Sequence, residues 1–317
     1  MAFSSPSRSA SGPSPARYGF SDVARAEAQL RAAGWWSDTG PVSRTEPVVA
    51  ALSRAPDPDL ALHAVDRLRE SVADWSEISE QLVEDVVLRG QLVGVLGTSS
   101  AFADHLVARP GDWRRLAGAG KSTADPTAVL LDAVGAASTG ASPGTPGGPV
   151  AASHGSEAIK ALRGSYRGLL LEIAGWDLAR TVEPSLPEAR YEDVAARLSD
   201  LAVAALRAAL AVAAAELSPD PESPFSARLA VIAMGKCGGH ELNYVSDVDV
   251  VFVAEAEDDV RDATRLARQM MRVSSSAFFE VDAALRPEGK AGALVRTLSS
   301  HLSYYRRWRG PGSSRRC

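Results

Sequence analysis

Residues 231–259 read VIAMGKCGGHELNYVSDVDVVFVAEAEDD, and within them Asp247 and Asp249 stand either side of a single valine at the start of an apolar run. On a strand, residues i and i+2 point to the same side, so these carboxylates share one face while Val248, Val250 and Phe252 share the other. Two acids this close raise one another's pKa unless a cation neutralises them. Hard oxygen ligands at a partly open site suit Mg²⁺, which keeps several waters and is completed by the phosphate oxygens of a substrate. Beyond Asp249 the same face turns apolar at Val251 and Val253. The strand is therefore expected to be buried on both sides, with its acidic entry left open to solvent and ligand. The pair reads as a platform for phosphate chemistry.

A glycine-rich loop, Gly235-Lys236-Cys237-Gly238-Gly239, comes just before it. Glycines there let backbone N–H groups approach and cradle a phosphate, and Lys236 can add a point charge. Neither feature is specific alone, since an Asp-x-Asp arises by chance about once in a chain of this size. Their order, with a further acidic segment downstream, carries the information. In that segment, AFFEVDAAL (277–285), apolar Phe279, Val281 and Ala283 alternate with Phe278, Glu280 and Asp282. Glu280 and Asp282 lie on one face and both compete to be the third ligand. Cys237 and His240 have a Cys-x-x-His spacing, but no second pair follows, which argues against zinc.

The elements that must position these residues form a short series. RLAVIAM (228–234) and DVDVVFVA (247–254) read as strands. Residues 258–274 carry apolar Val260, Ala263, Leu266, Met270 and Val273 at helical spacing, and 277–285 reads as a third strand. The order strand, strand, helix, strand predicts a small α/β or α+β unit over 221–308. Upstream, 20–220 is helical in pattern. Ser21 is a plausible cap for the helix that begins SDVARAEAQL, a helix over 98–118 is stopped near Pro110, and others cover 161–180 and the alanine-rich stretch after Tyr191. The fold class expected is α+β. Residues 1–19 and 309–317 read as disordered tails and 135–155 as a flexible loop, all rich in Ser, Gly, Pro or Arg.

Composition narrows the function. A net charge of −5 gives nucleic acid or an anionic membrane no general attraction. Two cysteines make no disulfide framework and no N-terminal apolar segment marks export, so a cytoplasmic setting is expected. The stretch 195–217 is interrupted by Arg197, Asp200 and Arg207, which argues against a membrane span. Only four of the 34 basic residues are lysines, a bias of GC-rich coding that discounts arginine counts as evidence.

MGKCGGHELNYVSDVDVVF (234–252) resembles the signature of the glutamine synthetase adenylyltransferase family, within the nucleotidyltransferase superfamily. VDAALRPEGKAGALVRTLSSHLSYYRRW (281–308) is similar to the segment that follows in that family, and 97–113 and 162–179 resemble its N-terminal helical region more loosely. The resemblance implies a helical region followed by a nucleotidyltransferase-type small sheet. It assigns the third metal ligand to Asp282 and makes Asp247, Asp249 and Asp282 both catalytic and metal-binding, with Mg²⁺ as cofactor. Gly235, Lys236, Gly238, Gly239 and Ser246 become the nucleotide-binding residues. Many members carry Arg where this chain has Ala284, which puts that arginine's role in doubt here.

Members of the family have two related heads. One attaches AMP from ATP to a tyrosine of glutamine synthetase, and the other removes it by phosphorolysis to give ADP, under the control of glutamine and a PII signalling protein. A single motif preceded by a long helical region matches the N-terminal, deadenylylating head. The ending RRWRGPGSSRRC departs from the family's helical continuation, so a truncated or frameshifted product is expected. The alternative is a non-catalytic fragment that binds glutamine synthetase or a regulator without turnover. The Glu-Leu-Asn-Tyr stretch (241–244) argues against a nucleotidyltransferase for a small molecule or RNA.

Overall fold

Asp residues open many of the helices. In the computed structural model, Asp22, Asp57, Asp74, Asp85 and Asp125 each accept a backbone N–H from the first turn that follows them. The first of these begins α1 (Val23–Ala32), so its cap is Asp22 rather than the expected Ser21; Asp22 Oδ1 takes the N–H of Arg25 at 3.1 Å. The structure describes residues 13–117, 124–136, 148–218, 225 and 227–308. Most of the expected N-terminal tail, the middle of the loop 135–155 and the tail 309–317 lie outside the described residues.

Two compact units emerge, one drawn from Met1–Ser122 and Leu171–Arg190, the other from Thr123–Leu170 and Tyr191–Cys317. The first contains α1, a small hairpin of β1 (Trp36–Ser37) and β2 (Gly40–Pro41), and then α2 (Glu46–Ser53), α3 (Pro58–Ser71), α4 (Trp75–Glu84), α5 (Val86–Leu96) and α6 (Ser100–Ala108). A 3-10 segment, Pro110–Leu116, follows α6, in keeping with the expected stop near Pro110. Leu30, Trp35, Leu52, Leu62, Leu82, Leu92 and Leu106 fill one apolar core. The charge buried beside it is matched: Arg89 Nε donates to Glu183 Oε1 at 2.5 Å, and another guanidinium nitrogen donates to the carbonyls of Leu82 and Val83 at 2.9 and 3.0 Å. Arg54 approaches the second oxygen of Glu183 at 3.3 Å.

The second unit contains α7 (Pro126–Asp132), the first part of α8 (Gly155–Val182), and α9 (Tyr191–Leu217). By length and composition α9 is apolar enough to cross a membrane, but 72% of its apolar window is buried within the protein, where it packs against α7 and the later helix α11 (Val260–Ala277). In α9, Ala202, Ala205, Ala208, Ala209 and Ala213 are fully buried and let neighbours approach closely. Along α11 the buried residues Ala263, Leu266, Met270, Val273 and Ala277 make the apolar stripe that the sequence spacing anticipates.

A four-stranded sheet completes this unit. β3 (Leu229–Ala233) pairs antiparallel with β4 (Val248–Ala254), from Leu229 opposite Ala254 to Ala233 opposite Val250. Two short strands run parallel to β4, β5 (Val281–Asp282) beside its beginning and β6 (Val295–Thr297) beside its end. The segment 277–285 is thus only briefly a strand. Helix α11 runs on to Ala277, and the Ser274 carbonyl accepts the N–H groups of Phe278 and Phe279 at 2.8 and 3.2 Å. These bonds take backbone groups that a longer ladder would use. The sequence pattern does not anticipate β6. Helices mixed with small sheets make the fold α+β.

Candidate active site

β4 begins on the acidic pair. Val248, Val250 and Phe252 are buried on one face, whereas Asp247, just before the strand, is exposed and Asp249 is half-buried on the other. In the parallel pairing with β5, Val281 lies opposite Val248 and Asp282 opposite Asp249. Registered residues on neighbouring strands point to the same side, so Asp249 and Asp282 share a sheet face. Glu280, the other candidate, is exposed and its carboxylate accepts from Ser275 Oγ at 2.6 Å. The structure therefore brings Asp282, not Glu280, beside Asp249.

Electrostatics agree with this placement. The Asp249 carboxyl lies above the ordinary carboxylate value, first because of burial and then because of the charges of Asp247 and Asp282. Among the described residues none of the three acids makes an ion pair. Asp282 Oδ1 accepts the N–H of Ala284 at 2.7 Å, a contact that fixes the carboxylate without neutralising it.

The glycine loop folds as a single helical turn, α10 (Gly235–Gly238), between β3 and β4. Met234 N–H donates to the Asp249 carbonyl at 2.8 Å, which ties the start of the turn to the acidic strand. Gly235 has a φ of +52°, and a Cβ there would lie 2.7 Å from Asp249 Oδ2, so only glycine lets this carboxylate lie against the turn. Gly238 has a packing reason of its own, because a Cβ would meet the Ala233 carbonyl at 2.5 Å. Gly239 and Lys236 are exposed, and Ser246 is half-buried immediately before Asp247. The N–H groups of Gly238 and Gly239 bond to the carbonyls of Met234 and Gly235, so those left to meet an anion are at Gly235, Lys236 and Cys237.

Cys237 is buried, and its thiol is pushed up by burial and then by the charges of Asp200 and Asp249. His240 Nδ1 lies 3.7 Å from Asp200. Among the described residues no group of three His, Cys, Asp or Glu side chains forms a ready-made metal cage, zinc or otherwise. The acids fit a hard cation that takes few protein ligands and fills its shell with water and phosphate oxygens. The Gly235 cradle, which a Cβ would fill, leaves the Asp249 carboxylate room to serve it. A groove of about 320 Å³, lined by Arg228, Ala230, Val253, Ala254 and Leu298, lies at the other end of β4 and not at the acids.

Sequence reasoning passed over Arg286. Its guanidinium donates to the carbonyls of Ala283, Lys290 and Gly292 at 2.6, 3.0 and 3.1 Å and so folds the loop after Asp282 into one shape. The available signal was an arginine in a Pro/Gly-rich loop, RPEGKAG, with no secondary structure to satisfy its carbonyls.

The profile of the family described as glutamate-ammonia ligase adenylyltransferase matches residues 90–310, more than half of the chain and all of the acidic site. The chain belongs to this family. Curated members similar to it include bifunctional glutamine synthetase adenylyltransferase/adenylyl-removing enzymes. The one from Nocardia farcinica is 50% identical over 309 residues, covering 96% of this chain and 29% of the relative. The one from Mycobacterium avium is 48% identical over 299 residues, covering 93% and 28%. The adenylyltransferase family chain thus spans less than a third of the length of these relatives. Within it, the acids, the Gly235 turn and the loop held by Arg286 all belong to the second unit.

Proposed function

We propose that the second unit is a nucleotidyltransferase head acting on glutamine synthetase, with Asp247, Asp249 and Asp282 as its acidic residues and Mg²⁺ as its cation. The observation that carries the reading is the register of Asp249 with Asp282, next to a turn that only glycine can form against the Asp249 carboxylate. The names of the relatives, which couple adenylyl transfer with adenylyl removal, support the substrate.

The direction proposed is deadenylylation. An oxygen of inorganic phosphate bonds to the phosphorus of the tyrosine-linked AMP as the bond to the tyrosine oxygen breaks, which yields ADP and the free tyrosine. When bound at the three acids, Mg²⁺ offsets charge on the attacking and leaving oxygens. The backbone N–H groups of Gly235, Lys236 and Cys237, with Ser246, orient the AMP phosphate, Gly238 and Gly239 shape the turn that presents them, and Lys236 adds a point charge. With ATP as donor, attack of the tyrosine oxygen on the α-phosphorus at the same site joins AMP to the tyrosine and releases pyrophosphate. Glutamine and a PII-type protein are the effectors this reading implies, in a cytoplasmic setting.

The test is Mg²⁺-dependent release of ADP from adenylylated glutamine synthetase and phosphate. The unmodified chain is expected to release ADP, and the Asp247→Asn, Asp249→Asn double variant is expected to release none. A second reading, a fragment that binds glutamine synthetase or a regulator without turnover, draws on the absence of a preformed three-ligand cage among the described residues. Binding to glutamine synthetase with no ADP from the unmodified chain selects it.

A further inference from the structure

A strand of two residues holds its side chains only weakly, because it makes few ladder bonds and packs little of its own surface. β5 is such a strand, yet it must deliver Asp282 beside Asp249. What fixes it comes from outside the sheet. Before β5, α11 ends at Ala277, and the chain turns through Phe278 and Phe279 into Glu280, whose carbonyl accepts the N–H of Val248 at 3.1 Å.

The first part of α8 grips this turn at two places. The Arg163 guanidinium donates to the carbonyl of Ser276, one of the last-turn groups of α11 that lack a helical partner. One turn further along α8, the Tyr166 ring lies 5.0 Å from the Phe278 ring and 6.0 Å from the Phe279 ring, distances typical of packed aromatic pairs. Ser275 Oγ adds a hydrogen bond to Glu280 from within the turn. Arg163 and Tyr166 are three residues apart and so lie on one side of the helix. Neither belongs to the three carboxylates or to the Gly235 turn.

We propose that Arg163 and Tyr166 are positioning residues that set the entry angle of β5 and thereby hold Asp282 in register with Asp249 for the divalent cation. This rests on the proposed reading of the three acids as the cation site. Removing a group that orients a metal ligand from behind typically weakens metal affinity by about 10–100-fold. The exposed end of the grip, Arg163, can be changed without opening a core.

The experiment measures Mn²⁺ affinity of the full chain by electron paramagnetic resonance titration, with Asp282→Asn as the reference for a lost ligand. Arg163→Met and Tyr166→Leu are expected to weaken Mn²⁺ binding by roughly ten-fold or more. Tyr166→Phe, which keeps the ring, and Arg163→Lys, which keeps a donor, are expected to restore most of it. Weakening by Asp282→Asn with wild-type affinity in both Arg163→Met and Tyr166→Leu overturns the positioning role and leaves the acid site standing. Wild-type affinity in Asp282→Asn overturns the reading of the site and this inference together.

Discussion

Two acidic sites, one in each compact unit, are treated in opposite ways. In the helical unit, Glu183 is buried beside Arg89 and Arg54, and the remaining donors of Arg89 reach backbone carbonyls. In the α/β unit, Asp247, Asp249 and Asp282 gather with no ion pair among the described residues, and burial, followed by the charges of Asp247 and Asp282, raises the pKa of Asp249. A fold that can match a buried carboxylate in one place has left three together in another. Charge left unbalanced at an accessible strand end is the signature of a site in which a ligand completes the balance.

The comparison breaks most sharply at Glu183. Glu183→Ala leaves the Arg89 guanidinium buried without its partner and is expected to cost about 3–5 kcal/mol, read by urea denaturation. A cost under 1 kcal/mol would mean that the helical unit does not depend on this match. Next in size is Gly235→Ala in the α/β unit. A left-handed backbone at a non-glycine residue costs about 1–2 kcal/mol, and the added methyl also displaces the Asp249 carboxylate. Reduced thermal stability together with weakened Mn²⁺ binding is expected, and wild-type metal affinity would separate the turn from the site.

Asp249→Asn should have the opposite sign to Glu183→Ala. Without a divalent cation it relieves the repulsion across β4 and β5 and is expected to stabilise the fold by about 0.2–1 kcal/mol, the scale of a cross-strand pair. The pH dependence sharpens the same point. Because the folded-state pKa of Asp249 lies above its unfolded value, the folded state holds the proton more tightly. The stability contributed by this group is present at acidic pH below the unfolded value and is lost as pH rises through the raised folded value. Chelated wild-type protein should therefore lose stability over that window relative to Asp249→Asn, as measured by melting temperature against pH.

Much of this was legible in the sequence because periodicity reports element type. The apolar runs of β3 and β4 and the stripe on α11 appear close to where the pattern puts them, and the Asp-x-Asp lies at the start of β4 as read. What periodicity does not report is which elements pack together. The sequence pattern changes near residue 220, whereas the compact units divide within α8 and again after Arg190, so α9 joins the sheet. Alternation over 277–285 looked like a full strand, but Phe278 and Phe279 spend it on packing against Tyr166, and only Val281 and Asp282 join the ladder. β6 is three residues long, too short for a pattern to stand out. Alternation alone left Glu280 and Asp282 equal; the family resemblance pointed to Asp282, and the register of β5 on β4, which no local signal fixes, supplies the physical reason.

The central claim is that the three acids are left unbalanced for a divalent cation, and a Mg²⁺ titration of the melting transition near neutral pH tests it most directly. The account predicts that the wild-type chain gains stability with Mg²⁺ concentration, by about 2.7 kcal/mol at a hundred times the dissociation constant. Asp249→Asn and Asp282→Asn should gain far less. A wild-type transition that millimolar Mg²⁺ leaves unmoved, alongside identical behaviour in both variants, would contradict it.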